Sequence, residues 1–325
     1  MGTTLILSFD DDPTAASVAA ALSDLDADYA WVDPGDFPRD IGMAASIDPG
    51  GSWTGQFGPI RFEDIDAVYY RRPTTFRFSE GLSDADRAAA TAEARIGVGG
   101  VLAALPVRWV NHPHSIAAAE YKPCQLAVAS AVGLVVPATY IGNDAQAARV
   151  FAKGQTEGVV CKEMGHSFQL ITGDADPSIV WTTRIDPAML AADSFAVTAH
   201  MVQAWVPKRR DIRVTVVGSE TFAVAVDTDS SAGHVDWRSD YAALTYVRTN
   251  VPSDVASAIQ RFMATMGLAY GALDFTLTPG GTWVFLEVNP SGEWLWLEEE
   301  TGAPIAAALA ALLVGDTMAE TEIHR

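Results

Sequence analysis

Three oxygen-bearing side chains near the C-terminal end, Asp274, Glu287 and Asn289, are spaced to meet on one face of a hairpin. The stretch from Ala272 to Thr278 alternates apolar and polar residues, and Pro279-Gly280-Gly281-Thr282 follows as a turn. Trp283 to Pro290 reads as the returning strand. With Gly280-Gly281 as a two-residue loop, Pro279 faces Thr282, and counting back sets Asp274 opposite Glu287. Asn289 lies two residues beyond Glu287 and shares its strand face. Such oxygens suit Mg²⁺, a hard cation usually held by one or two carboxylates plus substrate phosphates. An ordinary solvated hairpin face would use the same residues, because the pairing rests on an assumed register.

Two lysines form the next constellation. Lys122 opens a helix that runs from Pro123 to Ala131. Lys162 ends the strand Val159 to Lys162, just before the small-residue loop Gly165-His166-Ser167. Small residues let backbone N–H groups approach phosphate oxygens, and Lys adds a compact positive charge. Either lysine alone would pass as a solvated surface charge. Walker A and the dinucleotide fingerprint are both absent. Lys208, Arg209, Arg210 and Arg213 then crowd one segment. Asp211 and Arg213 sit two apart on an expected strand, so both face one cleft and Asp211 is expected to orient Arg213. Lys208 to Arg210 equally suit an exposed basic edge that resists aggregation.

The elements that must carry these residues fall into three regions. Residues 1–119 alternate strands and helices, which argues for an open α/β sheet. Asp10-Asp11-Asp12-Pro13 reads there as a helix cap rather than a metal site. Residues 120–202 hold both lysines, and residues 203–325 hold the basic segment, the hairpin and a terminal helix from Ala303 to Leu313.

Composition narrows the chemistry. The chain has 325 residues, is 49% hydrophobic and carries 41 acidic against 21 basic residues, a formal net charge of −20. That field repels nucleic acid and anionic membrane, so neither is an expected partner. It also repels nucleotides, so a phosphate site must gather its Lys and Arg locally. Cys124 and Cys161 form no disulfide framework and suit a reducing cytoplasm. The N-terminal residues lack a signal-peptide pattern, and Ala306 to Val314 is apolar but too short to span a bilayer.

Taken in order, these pieces resemble the ATP-grasp superfamily. Lys122, Lys162, the hinge Gln203-Ala204-Trp205-Val206, and the set Asp274, Glu287 and Asn289 stand where the family's motifs stand. The chain further resembles the graspetide (microviridin-type) peptide ligases. The residues are Tyr69-Tyr70-Arg71-Arg72-Pro73, Val206-Pro207-Lys208, Arg213 to Gly218, Asp236-Trp237-Arg238, and Asn289 to Glu298 with its Trp294-Leu295-Trp296-Leu297 run. Ala204 stands where relatives often carry a hinge Glu, so a carboxylate contact is lost there.

The resemblance implies an α/β ATP-grasp fold with an N-terminal open α/β (pre-ATP-grasp) domain and ATP between the second and third regions. It implies ATP and Mg²⁺ as cofactors. Lys122, Lys162, Gly165, His166, Ser167, Gln203, Ala204, Trp205, Val206 and Asp211 would bind the nucleotide, and Asp274, Glu287 and Asn289 the metal. Arg213, Arg72 and Arg238 would act on the substrate, with Arg71 a further candidate for holding its carboxylates. A capped helix at the surface suits Arg71 and Arg72 equally. Glu157 to Ser167 would gain its contacts mainly from phosphate. The implied substrate is a ribosomally made precursor peptide, with a leader and an acidic, Ser/Thr-containing core. Its Asp or Glu side chains would become acyl phosphates and be joined to Ser, Thr or Lys. Lys208 to Arg210 would be local contacts for the leader, and a homodimer is allowed for. Trp294 and Trp296 read as core more readily than as an aromatic wall beside the site. Two rivals stand beside this reading: a small-molecule carboxylate–amine ligase and a non-catalytic peptide-binding scaffold.

Overall fold

The computed structural model describes residues 2–165, 169–170, 178–179, 181–191 and 193–315. Its N-terminal part is built on β1 (Thr3–Ser8), β2 (Tyr29–Val32), β6 (Ile65–Arg72) and β7 (Arg108–Val110). They form a parallel sheet in the order β2-β1-β6-β7. Leu5, Ile6, Leu7, Ala67 and Val68 are almost fully buried, as expected when helices cover both faces of a parallel sheet. A small antiparallel sheet of β3 (Met43–Ile47), β4 (Trp53–Phe57) and β5 (Ile60–Arg61) lies beside it. Helix α1 (Pro13–Asp24) starts as the sequence indicates: Pro13 occupies its first turn, and Asp12 accepts from the Thr14 and Ala15 amides. Helix α2 (Asp84–Ala103) is capped by Ser83 and packs Val98, Val101 and Leu102 on the sheet.

Helices α3 (Pro113–Ala119) and α4 (Lys122–Ala131) lead to a second sheet. It comprises β8 (Thr139–Gly142), β9 (Val159–Lys162), β12 (Thr183–Ile185) and β13 (His200–Ala204), in the antiparallel order β12-β9-β13-β8. Helix α5 (Ala145–Lys153) covers it, and β10 (Gln169–Leu170) pairs with β11 (Ser178–Ile179).

The third sheet is antiparallel, in the order β16-β15-β14-β17-β18. Its strands are β14 (Arg210–Val217), β15 (Glu220–Thr228), β16 (Leu244–Thr249), β17 (Tyr270–Leu277) and β18 (Trp283–Asn289). Helix α6 (Ser231–Val235) sits in the β15–β16 connection, and α7 (Ser253–Met266) and α4 cover one face. Helices α8 (Leu295–Thr301) and α9 (Ile305–Val314) follow, and α9 packs between α1, the N-terminal sheet and the third sheet.

Two expectations shift here. The line drawn at 202/203 falls inside β13, whose residues from His200 to Ala204 all pair with β8 or β9. Residues 120–134 pack Leu126, Ala129 and Leu134 into the core under the third sheet, a cluster to which the second sheet contributes Met201. The hinge begins after Ala204, because pairing continues through it. Among the described residues, no helix is long and apolar enough to cross a membrane.

Candidate functional site

A cleft opens between the second and third sheets. Val160, Lys162, Gln203, Ala204, Trp205 and Val206 line one side. Lys208, Asp211, Asp274, Thr276 and Glu287 line the other, and Asp236 and Arg238 come from the segment after α6.

Strand alternation creates the polar wall. On β14, Ile212, Val214 and Val216 point into the core shared with α4 and α7, so Asp211 and Arg213 lie on the opposite face. Asp211 pairs with Thr276 across β17, and Arg213 with Asp274. Arg213 Nη1 donates to both oxygens of Asp274 at 2.8 Å. Asp211 accepts instead from Lys208 Nζ at 2.5 Å and from Thr276 Oγ1 at 3.0 Å. Asp211 therefore does not orient Arg213: directly opposed residues on neighbouring strands come closer than residues two apart on one strand. Burial pushes the Asp211 carboxyl upward, with Lys208 pulling the other way. The reading of Lys208 to Arg210 as an exposed basic edge does not hold for Lys208 and Arg210; of the three, Arg209 is the exposed one. β14 is an inner strand, Lys208 is committed to Asp211, and Arg210 Nε lies 3.2 Å from Asp227.

Asp274 does face Glu287, by a different route from the one expected. Leu277 pairs with Trp283, and the Thr278 amide donates to the Thr282 carbonyl while the Thr282 amide donates to Thr278 Oγ1. The loop is thus Pro279-Gly280-Gly281, with Gly281 at φ +86° in the left-handed position of a three-residue hairpin. A bulge between Asp274 and Phe275 then restores the register, leaving Leu286 as the extra residue beside the cleft.

Glu287 is the electrostatic centre. Lys122 Nζ lies 2.9 Å from it and Arg238 Nη1 3.7 Å. Burial by itself would raise its pKa. Lys122, Lys162 and Arg238 outweigh burial and hold it down to about 2. Lys162 is pushed below its ordinary value chiefly by burial, with Glu287 pulling it back up. Arg238 forms a two-pronged pair with Asp236, at 2.9 Å on each side. That pair depresses the Asp236 carboxyl although burial opposes it. Lys122 also donates to the Glu163 carbonyl at 2.8 Å, joining the start of α4 to the end of β9.

The remaining site candidates are more scattered. Asn289 sits opposite Ala272, is exposed, and accepts from the Ser291 amide at 3.0 Å. The Ala204 and Trp205 amides already donate to the Ala138 and Gly158 carbonyls. Gly165 is exposed outside the cleft lining, and His166 and Ser167 lie outside the described residues. Arg71 and Arg72 end β6 and bind Glu293, so neither caps a helix. Arg72 is not in the cleft wall. Trp294 is fully buried, and Trp296 is half-buried against Trp237 and Tyr246.

Sequence reasoning missed Glu293 and Thr276 as partners. Glu293 lay inside the motif following Asn289, and Thr276 at alternate spacing from Asp274, so only a cross-strand count would have found it.

Oxygen donors paired across one rung, with Asn289 on the next, fit a hard divalent cation. Among the described residues there is no cluster of three His, Cys, Asp or Glu that could hold a metal, so such a site depends on the Asn289 amide and on ligand oxygens. Lys162, Lys208 and Arg238 in the cleft wall, with Lys122 and Arg213 bound to its carboxylates, offset Asp211, Asp236, Asp274 and Glu287, so cations are concentrated here within a chain of charge −20.

Comparison with known proteins bears on this arrangement. Residues 3–117 match the MvdD pre-ATP grasp domain family. A comparison with curated proteins gives no match. Among solved structures, the chain is similar to a Chryseobacterium gregarium RiPP-associated ATP-grasp ligase in complex with ADP and a leader and core peptide. The two share 25% identity and a TM-score of 0.89, covering 98% of each chain. It is also similar to macrocyclase MdnC bound with precursor peptide MdnA from Microcystis aeruginosa MRC, at 25% identity and TM-score 0.83, over 96% of this chain and 99% of that one. Macrocyclase MdnB from the same organism shares 30% identity over 97% of this chain and 99% of its own, with TM-score 0.77. With identity at that level sustained over nearly the full length of both chains, and a cleft that gathers cations around paired carboxylates, the chain belongs to the graspetide macrocyclase family of ATP-grasp ligases.

Proposed function

We propose that the chain uses ATP and Mg²⁺ to activate Asp or Glu side chains of a ribosomally made precursor peptide as acyl phosphates. Ser or Thr hydroxyls, or Lys amines, of the same peptide then attack to give ester or amide rings, with ADP and phosphate released. One observation carries the reading: Glu287, held ionised by Lys122, Lys162 and Arg238, stands directly across from Asp274, which is held by Arg213. A carboxylate and a γ-phosphate repel each other, so their approach needs preorganised positive charge. In this reading Lys122 and Lys162 take the phosphates, and the segment Gln203–Val206, the end of β13 with the hinge after it, takes adenine through the Val206 amide and backbone carbonyls. Asp211, backed by Lys208, faces the sugar. Gly165, His166 and Ser167 contribute phosphate contacts. Asp274, Glu287 and Asn289 would hold Mg²⁺, which when bound neutralises the phosphate chain. Arg213 and Arg238 then face the carboxylate being activated, and the leader and core of the peptide are held at separate points, raising the effective concentration of the core.

We further propose a cytoplasmic setting, which suits two free cysteines. Light scattering will show whether the chain pairs with a second copy.

The test uses a precursor peptide with ¹⁸O-labelled side-chain carboxylates. Label passing to inorganic phosphate, with one water lost per ring, is the expected result. Label in AMP would mean adenylation and overturn the acyl-phosphate step. Turnover with free amino acids but not with peptide would instead favour a small-molecule ligase.

A further inference from the structure

The carboxyl ends of strands in an open parallel sheet are where such folds usually bind ligands. Here the ends of β6 and β7 grip the chain's own loop. Asn111, directly after β7, is buried; its Nδ2 donates to the carbonyls of Tyr270 and Pro290, both at 2.8 Å. Arg71, also buried, donates to the Ser291 carbonyl at 3.1 Å and to Glu293 Oε2 at 2.5 Å. Arg72 Nη1 lies 2.7 Å from Glu293 Oε1, and Thr14 Oγ1 donates to Oε2 at 2.9 Å. One carboxylate thus draws on two guanidiniums and a hydroxyl.

The same loop touches the cleft from its other side. The Glu293 carbonyl accepts from Arg213 Nη2 at 3.4 Å, and the Gly292 carbonyl accepts from Tyr270 Oη at 2.7 Å. Arg213 Nε is buried without a partner. Among the described contacts, hydrogen bonds therefore hold this guanidinium only through Asp274 and the Glu293 carbonyl. A Cβ on Gly292 would stand 3.1 Å from Arg213 Nη2, so the loop backbone lies directly against it.

We infer that Glu293 is a positioning residue: by clasping Arg71, Arg72 and Thr14 it fixes the loop that aligns Arg213 and carries Asn289. The inference rests on the ligase reading for its effect on turnover, and on geometry alone for its effect on the loop. Glu293 touches no reacting atom. Its influence runs through its own backbone carbonyl to Arg213, a path one residue long.

The experiment compares wild type, Glu293→Gln, Arg72→Gln and Arg213→Lys, with the double variant Glu293→Gln/Arg213→Lys. Glu293→Gln should lower kcat about tenfold to a hundredfold, the scale of a small misplacement of a reacting group, with peptide KM nearly unchanged. Because both substitutions disturb one guanidinium, the double variant should lose much less than the product of the two single losses. Arg72→Gln, which leaves Arg71 and Thr14 on Glu293, should show a smaller loss of the same kind and serves if Glu293→Gln folds poorly. A multiplicative double variant, or a rise in peptide KM at constant kcat, overturns the inference. A second readout does not need the peptide reaction: amide exchange of Ser291 to Trp294 should quicken in Glu293→Gln while that of β1 stays as in wild type. Unchanged exchange in the loop overturns the inference whatever the enzyme's substrate, whereas wild type that turns over no ATP with peptide would defeat only the ligase reading.

Discussion

Glu287 shows how a buried carboxylate stays charged. Desolvation alone would raise its pKa, but three cations hold it down to about 2 against an ordinary value of 4.5. The sign for stability follows. A depressed carboxylate contributes stability above its unfolded pKa and loses it as pH falls toward the folded one. In metal-free protein, the melting-temperature gap between wild type and Glu287→Gln should be widest near neutrality and narrow as pH drops below about 4.5. A gap that is constant with pH would show that Glu287 is not held ionised by folding. The same substitution should lower turnover about a hundredfold, the usual cost of deleting one preorganised electrostatic contact. Lys162 gives a complementary case. Burial makes it shed its proton below its ordinary 10.5, so affinity for Mg²⁺·ATP should fall on the alkaline side. Lys162→Arg, which keeps its charge, should move that fall to higher pH. Titration calorimetry across pH 7 to 10 would be on the order of a sufficient range, since Lys is ordinarily charged throughout it. Superimposable wild-type and variant profiles would refute the assignment.

At the scale of elements, the hairpin holds both the success and the limit of sequence reading. Alternation alone marked β17 and β18, and the pairing of Asp274 with Glu287 emerged correctly from two errors that cancel: the loop has one more residue than assumed, and the bulge absorbs it. Local pattern shows which residues share a face of one strand, but bulges are set by packing on the partner strand. Asp211 and Arg213 failed for the related reason that cross-strand partners, Thr276 and Asp274, outrank a neighbour two residues away. Glu293 was invisible as an anchor because its partners lie 221 and 222 positions earlier, at Arg72 and Arg71. Two glycines of this region separate structural from functional cost. Gly281 has φ +86° and open space where a Cβ would go, so Gly281→Ala should cost about 1 kcal/mol of stability and leave turnover intact. A Cβ at Gly292 would lie 2.6 Å from Ala272 Cβ and 3.1 Å from Arg213 Nη2. Gly292→Ala should therefore displace the loop or the guanidinium and lower kcat more than tenfold, at about the scale expected for a misplaced catalytic group. Comparable activity in the two variants would show that the loop backbone does not set the position of Arg213.

For the molecule as a whole, charge decides how nucleotide can bind. The chain carries −20, and the cleft wall itself includes Asp211, Asp236, Asp274 and Glu287. A bare triphosphate meets those carboxylates beside the lysines and arginines that attract it. Mg²⁺ reverses the balance by giving Asp274 and Glu287 a partner they share with the phosphates. The cleft also lies between two sheets, and a ligand touching Lys162 on β9 and Glu287 on β18 binds only while both are in place. Such a ligand stabilises the folded chain by about 2.7 kcal/mol at a hundred times its dissociation constant. Mg²⁺ with a non-hydrolysable ATP analogue should thus raise the melting temperature by several degrees. The analogue in excess chelator, or Mg²⁺ alone, should raise it much less, and Glu287→Gln should reduce the gap between the metal-containing and metal-free samples. Raising salt in the chelator sample should recover little of the difference, because buried charges are screened far less than exposed ones. If the analogue stabilises equally with and without Mg²⁺, the lysines and arginines alone suffice for binding, and Asp274 and Glu287 hold cations of the protein rather than a metal.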